Sequence, residues 1–258
     1  PLPVQYLFWL RRFLIGDWGV SYFKQMPVLN LVMQRLPATL LLTLSSLIFV
    51  IAFSLLFGLV AGNRHGSRLD YGIVTITFLL QSLPSFWLGS MLVSLFSLRL
   101  GWLPSYGFVE PSRGLIEAAK HLIMPSLSLG AAMSSTSARI IRSELVKELN
   151  ERYVLTARAK GLPSSSIVLI HAFRKSMIPW ATAVGTWIGS AMSGSVVVET
   201  IFSWPGLGRL LYEAVLSRDY PVVQSIVLIA SMVFVTVNLV VDVLYPLLDP
   251  RIEMTGRR

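Results

Sequence analysis

Five stretches of the chain are too apolar and too long to be buried by anything 258 residues can build in water. They run from about Leu36 to Gly62, Tyr71 to Leu98, Leu122 to Ala138, Trp180 to Val198 and Val222 to Tyr245. A helix crosses the hydrocarbon core of a bilayer with roughly 20 such residues, because every backbone polar group must be satisfied within the segment. The third stretch is the weakest, being short and rich in Ser. The composition agrees with a membrane solvent: 54% of residues are hydrophobic and 14% charged. An all-α integral membrane protein is therefore expected, as one domain, since no fixed-period repeat or large hydrophilic block interrupts the spans.

The net charge of +9 does not indicate a nucleic-acid partner. A soluble binder gathers Lys and Arg on one folded face, whereas here they lie between apolar runs. If the N-terminus is outside, the inside segments Asn63 to Asp70, Arg139 to Pro179 and Pro246 to Arg258 hold 13 of the 22 Lys and Arg. Retention of positive loops in the cytoplasm then favours N-outside and C-inside. The opening stretch PLPVQYLFWLRRFLIGDWGVSY is broken by Arg11, Arg12 and Asp17 before reaching span length, so it reads as neither a signal peptide nor a span. A further membrane helix ahead of Pro1 is expected, with residues 1–35 outside the membrane and 36–258 forming the membrane domain.

There are no cysteines, which rules out disulfides and thiolate chemistry. The three histidines, His65, His121 and His171, fall in different loops without metal-ligand spacing, and the nine methionines are scattered. No metal site or cofactor is expected in this chain. The phosphate-binding pattern GxxxxGK[ST] is also missing, so any ATP must be bound elsewhere.

The longest inside segment, near 145–179, has the punctuation of two helices. Leu145, Leu149, Tyr153 and Ala157 recur every four residues, with Lys147, Glu148, Glu151 and Arg158 between them, giving one packing face and one wet face. Gly161 and Pro163 end that helix, and Ser164 to Ser166 are placed to cap the next, starting near Ile167. The turn of small residues Ala157, Ala159 and Gly161, beside Lys160, suits insertion into a partner's groove. An ordinary loop kept inside by its charge explains the same pattern.

Polar groups within spans are few. Gln81, Ser82 and Ser85 flank Pro84, Ser126 and Ser128 follow Pro125, and Asn238 lies one helical turn from Asp242. Such groups line a pathway or tie helices together by hydrogen bonds. Asp242, the one carboxylate well inside a span, is a functional candidate for which helix-tying is the better-supported expectation. Between Ile201 and Tyr220, Trp204, Pro205, Gly206 and Gly208 make a turn-prone run whose aromatic suits a membrane interface.

The stretch TARAKGL followed by HAFRKSMIP resembles the cytoplasmic coupling motif of ABC importer permeases, in the form found in the dipeptide, oligopeptide and nickel branch. LPATL at Leu36, LPSFWLG at Leu83, GWLPSYG at Gly101, FSWPGLGRLL at Phe202, RDYPVVQ at Arg218 and NLVVDVLYPLLDPRI at Asn238 resemble that branch in order. Leu155 stands where many such permeases have Glu, and Arg174 where they have Pro; both fit the first permease of the pair.

The resemblance implies a type I ABC importer transmembrane fold in a bacterial or archaeal cytoplasmic membrane, with a sixth span before Pro1. It implies a second homologous permease, two ATP-binding subunits that hold ATP and Mg, and an extracytoplasmic substrate-binding protein. Ala157, Ala159, Lys160 and Gly161 would then couple to the ATPase. Trp204, Pro205, Gly206 and Gly208 would form a gate or a contact with the binding protein. The cargo would be di- or oligopeptides, glutathione, nickel or a metal chelate. An ion-coupled secondary transporter, expected to show charged residues at midplane and paired broken helices, is the rival. A membrane anchor would explain the spans but not the ordered motifs.

Overall fold

A computed structural model describes the backbone of residues 1–248 and, within them, all side chains except those of 171, 192–194, 242 and 244–248. Every regular element among the described residues is helical. The order is α1 (Leu2–Ile15), α2 (Val28–Asn63), α3 (Arg68–Ser82), α4 (Ser85–Leu92) running into a π-helical segment (Val93–Arg99), α5 (Leu115–Leu149), α6 (Arg152–Ala159), α7 (Ser164–Ser166) running through a π-helical segment (Ile167–Ala172) into α8 (Phe173–Ile201), α9 (Leu207–Leu216) and α10 (Tyr220–Leu248).

Two elements, Val28–Asn63 and Tyr220–Val241, are each long and apolar enough to cross a membrane unaided. The expected second span is not one rod. Its halves, Arg68–Ser82 and Ser85–Arg99, meet at 104°. Pro84 has no N–H to continue the ladder and pushes Leu83 into the extended region, at ψ 127°. The third apolar run lies inside a much longer helix, since α5 continues beyond Ala138 to Leu149. Two of its serines turn their hydroxyls back onto the helix: Ser128 Oγ donates to the Met124 carbonyl at 2.8 Å, and Ser135 Oγ to the Ala131 carbonyl at 2.9 Å.

The long pair α2 and α5 forms the spine. Small residues let the two backbones approach, which is how helices associate where lipid offers no hydrophobic driving force. A Cβ on Gly58 would sit 2.7 Å from Ile141 Cβ and 2.8 Å from the Ala138 carbonyl. On Gly130 it would sit 3.0 Å from Phe49 and 3.2 Å from the Ser46 carbonyl. Helix α8 joins this spine by burying Trp180, whose Nε1 donates to Ser54 Oγ at 2.9 Å. Gly58→Val is expected to destabilise the fold by about 1–3 kcal/mol through overpacking. A lower midpoint in thermal unfolding of the detergent-purified protein would register it, and an unchanged midpoint would contradict close α2–α5 packing.

At one end of the spine an ion-pair lock ties the α2–α3 turn to α5. The Asp70 side chain is fully buried. It accepts hydrogen bonds from Arg142 Nε and Nη2, the latter at 2.8 Å, and from the Gly66 N–H at 2.9 Å. His65 Nδ1 lies 3.2 Å away. Hydrogen bonding from Arg142 outweighs the opposing effect of burial and lowers the carboxyl pKa to about 2. Because the folded pKa is depressed, the lock stabilises the protein above the unfolded carboxyl pKa, and that stability is lost as pH falls from about 4 through about 2. Unfolding followed across this window is expected to show an acid-labile component of about 2 kcal/mol that Asp70→Asn removes. An identical pH profile in the variant would contradict the lock.

Candidate functional site

Two structured turns stand at opposite ends of the spine. At the end carrying the Asp70 lock, α5 stops at Leu149 and α6 starts at Arg152. The face expected to run unbroken through Leu145, Leu149, Tyr153 and Ala157 therefore belongs to two helices, interrupted at Asn150 and Glu151, with Glu151 extended at ψ 150°. The next helix begins at Ser164 rather than near Ile167. Ser164 to Ser166 form its first turn behind Pro163, and no side chain caps it.

Between those helices the elbow closes as a Schellman turn. The Leu162 N–H donates to the Ala157 carbonyl at 3.2 Å, and the Gly161 N–H to the Arg158 carbonyl at 2.9 Å. Gly161 takes φ +76°, the left-handed conformation glycine adopts without penalty. Among the described residues, apart from its chain neighbours, no atom lies within 4 Å of where its Cβ would be. Ala159, Lys160 and Gly161 are exposed, Ala157 is half-buried, and Leu155 is 65% exposed beside them.

The elbow is nonetheless held firmly from behind. Val154 is buried. Tyr153 Oη donates to Glu148 Oε2 at 2.9 Å, Lys175 Nζ pairs with the same oxygen at 3.0 Å, and that ammonium lies 4.2 Å from the Tyr153 ring centre. Burial, then the neighbouring Glu148, raises the Tyr153 pKa to about 12. The phenol therefore stays protonated and donating at physiological pH. One residue each from α5, α6 and α8 meets here, so α6 is tied to both long helices.

At the opposite end, the run containing Trp204 is interior. The Trp204 side chain is fully buried, donates from Nε1 to the Ala38 carbonyl at 2.8 Å, and meets Phe108 edge-on at 4.8 Å. An interfacial aromatic belt does not describe it. Gly206 and Gly208 are buried and pressed against Glu199 and Val196: a Cβ on Gly206 would come 2.3 Å from Glu199 Oε1, and one on Gly208 2.7 Å from Val196 Cα. Pro205 is half-buried.

Glu199 is the organising residue at this end, and it escaped the sequence reading. Fully buried, it accepts from Thr39 Oγ1 at 2.8 Å, Ser195 Oγ at 3.1 Å and the Arg209 N–H at 2.8 Å. Thr39 Oγ1 in turn accepts from the Leu207 N–H at 2.7 Å. A carboxylate at the start of α9 meets orphan N–H groups and the favourable end of the helix dipole, so α2, α8 and α9 are pinned at one point. The only sequence signal was a carboxylate at the edge of an apolar run, just ahead of Trp-Pro-Gly.

The polar residues of the spans separate. Gln81 accepts from Arg139 Nη2, a partner the sequence did not suggest. Ser82 Oγ donates to the Phe78 carbonyl at 2.8 Å, and Ser85 is half-buried. Ser126 and Ser45 share a hydrogen bond of 2.6 Å that ties α5 to α2. Asn238 Nδ2 donates to the Phe234 carbonyl of its own helix at 3.0 Å. The side chain of Asp242 lies outside the described residues, as does that of His171. Among the described residues no cluster of three or more metal-ligating side chains occurs.

Residues 54–254 match the family model described as the binding-protein-dependent transport system inner membrane component. The chain is 40% identical over 256 residues to the oligopeptide transport system permease protein AppB of Bacillus subtilis (strain 168), covering 98% of this chain and 81% of that protein. Against the di/tripeptide transport system permease protein DppB of Pseudomonas aeruginosa (strain UCBPP-PA14) it is 39% identical, with the same coverages. Against the glutathione transport system permease protein GsiC of Salmonella typhimurium (strain LT2) it is 43% identical, covering 98% and 80%. A chain of the inward-facing MetNI methionine ABC transporter has the same fold: TM-score 0.69 at 16% identity, covering 84% of this chain and 96% of that one.

Proposed function

The chain belongs to the family of binding-protein-dependent transport system inner membrane components, and on that premise we propose that it forms half of a peptide pathway driven by ATP hydrolysis in separate subunits. As a membrane-embedded permease subunit it is not itself the ATPase. The observation that carries the coupling role is the exposed Gly161 elbow, open around its Cβ among the described residues yet tied through Tyr153, Glu148 and Lys175 to the two long helices behind it. A surface docked there by an ATP-binding subunit pushes on Ala157, Ala159, Lys160 and Gly161, and the push reaches α5 and α8 without being absorbed at the turn. The elbow lies on the cytoplasmic side, in keeping with the charge bias of the loops.

Peptides are the favoured cargo, because AppB, DppB and GsiC are named for oligopeptides, di- and tripeptides and glutathione, all of them peptidic. Partners on this reading are a second homologous permease, two ATP-binding subunits holding ATP and Mg, and an extracytoplasmic binding protein. Trp204, Pro205, Gly206 and Gly208 act as a rigid wall near the outer mouth, since their burial leaves the exposed part of α9 to meet other subunits. Purification of the assembled complex with mass-spectrometric identification of subunits and bound ligand tests the reading. Recovery of two ATP-binding subunits, a second permease and a peptide is expected; a stable complex with no ATP-binding subunit would contradict it.

A further inference from the structure

Charge counting places Arg139 in a loop, just past the third apolar run, where a cation is unremarked. The structure carries α5 past it and aims the guanidinium at α3, where Nη2 donates to Gln81 Oε1 and the guanidinium carbon lies 4.5 Å over the Phe78 ring. Gln81 stands eleven residues beyond Asp70 on α3, about 16 Å further along by helical rise, immediately before the 104° bend. A guanidinium is thus held one turn of α5 from the Asp70–Arg142 lock, against the stretch of α3 that leads into its break.

Its hydrogen-bonding capacity is not used up. Asp70, the one carboxylate on α3, is taken by Arg142, and Arg139 Nη1 is shut from solvent without a partner among the described residues. The neighbouring hydroxyls are spent on their own helices: Ser82 on the Phe78 carbonyl, Thr136 on the Ala132 carbonyl and Ser143 on the Ile140 carbonyl. Phe78, Gln81 and Ser82 are exposed in this chain. An amide left exposed and a cation beside it at the bend of an apolar helix are costly against lipid, so this face turns toward a water-filled path or a neighbouring subunit.

Building on the transport reading above, we propose that Arg139, with Gln81 and the ring of Phe78, forms an intramembrane site for a carboxylate of the peptide in transit. The guanidinium fork matches a carboxylate with two parallel hydrogen bonds, which an ammonium does not do. Gln81 holds the fork between passages and is displaced when a carboxylate takes Nη2. Nη1, covered in this conformation, supplies the second bond once the side chain swings off Phe78.

The chain has no cysteine, so Ser82→Cys places a single thiol on it, one helical turn from Phe78. The assembled complex in proteoliposomes is labelled with anionic sulfonatoethyl and cationic trimethylammonioethyl methanethiosulfonate, with and without ATP, each rate taken relative to a free thiol. The anionic reagent is expected to react about tenfold faster, as anions concentrate near a cation in a cleft. Adding Arg139→Gln should abolish that preference, and trialanine should slow the anionic labelling where trialanine amide does not. The site is overturned by a thiol unreactive in all conditions, by a preference that survives Arg139→Gln, or by equal protection from acid and amide. ATP-dependent peptide uptake by the unsubstituted complex in the same vesicles separates the two readings: if uptake needs ATP while labelling fails, only the site falls, and if uptake ignores ATP, the transport reading falls.

Discussion

Gly161→Asp is expected to leave the complex assembled while removing the ATP hydrolysis that transport stimulates. The local cost of placing Asp at φ +76° is small, about 1–2 kcal/mol at most, since Asp is among the residues that tolerate the left-handed conformation and no atom of the described residues blocks its Cβ. The effect on docking decides the outcome. A carboxylate would stand on the one surface where close backbone approach is needed, beside carbonyls that already close the turn. A fall of at least tenfold in stimulated hydrolysis is expected, corresponding to about 1.4 kcal/mol of lost docking free energy. Gly101→Asp serves as a control. Gly101 also has positive φ, +65°, and open space around its Cβ, but it lies in the turn after the π-helical segment rather than at the elbow. A generic effect of strained glycine replacement predicts similar behaviour of the two variants; the coupling role predicts loss only at Gly161.

Glu199→Leu is expected to be among the most damaging single changes to the fold. It keeps the volume but removes the acceptor of Thr39 Oγ1 and the Arg209 N–H, in a site with no solvent to replace it. Each buried donor left unmade costs about 1–3 kcal/mol, and α9 loses the anchor at its first turn. Detergent-purified protein should show a loss of at least about 3 kcal/mol on unfolding. Glu199→Gln, which keeps an amide oxygen as acceptor, should lose less. A leucine variant within about 0.5 kcal/mol of the parent would place Glu199 outside the special mechanisms by which single substitutions destabilise strongly.

The rods were legible and the joints only partly so. Apolar length marked α2 and α10 directly, and Gly161 followed by Pro163 located the elbow, because a left-handed cap is a local property of the chain. The bend at Pro84 was harder to read. Its flanks are as apolar as an uninterrupted span, so hydropathy averages across it, although the proline itself was visible. Asn150 split the expected Leu145 to Ala157 face because a turn between two helices preserves the four-residue spacing on either side. Glu199 and Arg139 were missed for a different reason. Each is defined by a partner far away in sequence, Thr39 for one and Gln81 for the other, and each stood just beyond the edge of an apolar run, where a charge counts as a loop residue. Trp204 shows the converse: an aromatic near a span edge reads as a belt residue until the Ala38 carbonyl is seen against its indole.

On the proposed reading, ATP-driven force from a partner subunit enters through the Gly161 elbow and reaches the spans through Tyr153, Glu148 and Lys175. Peptide uptake into proteoliposomes holding the complete complex, compared with ATP inside and with ATP replaced by an imposed proton or sodium gradient, tests it most directly. Uptake should require ATP and ignore the gradient. Equal uptake on the gradient alone would contradict the account.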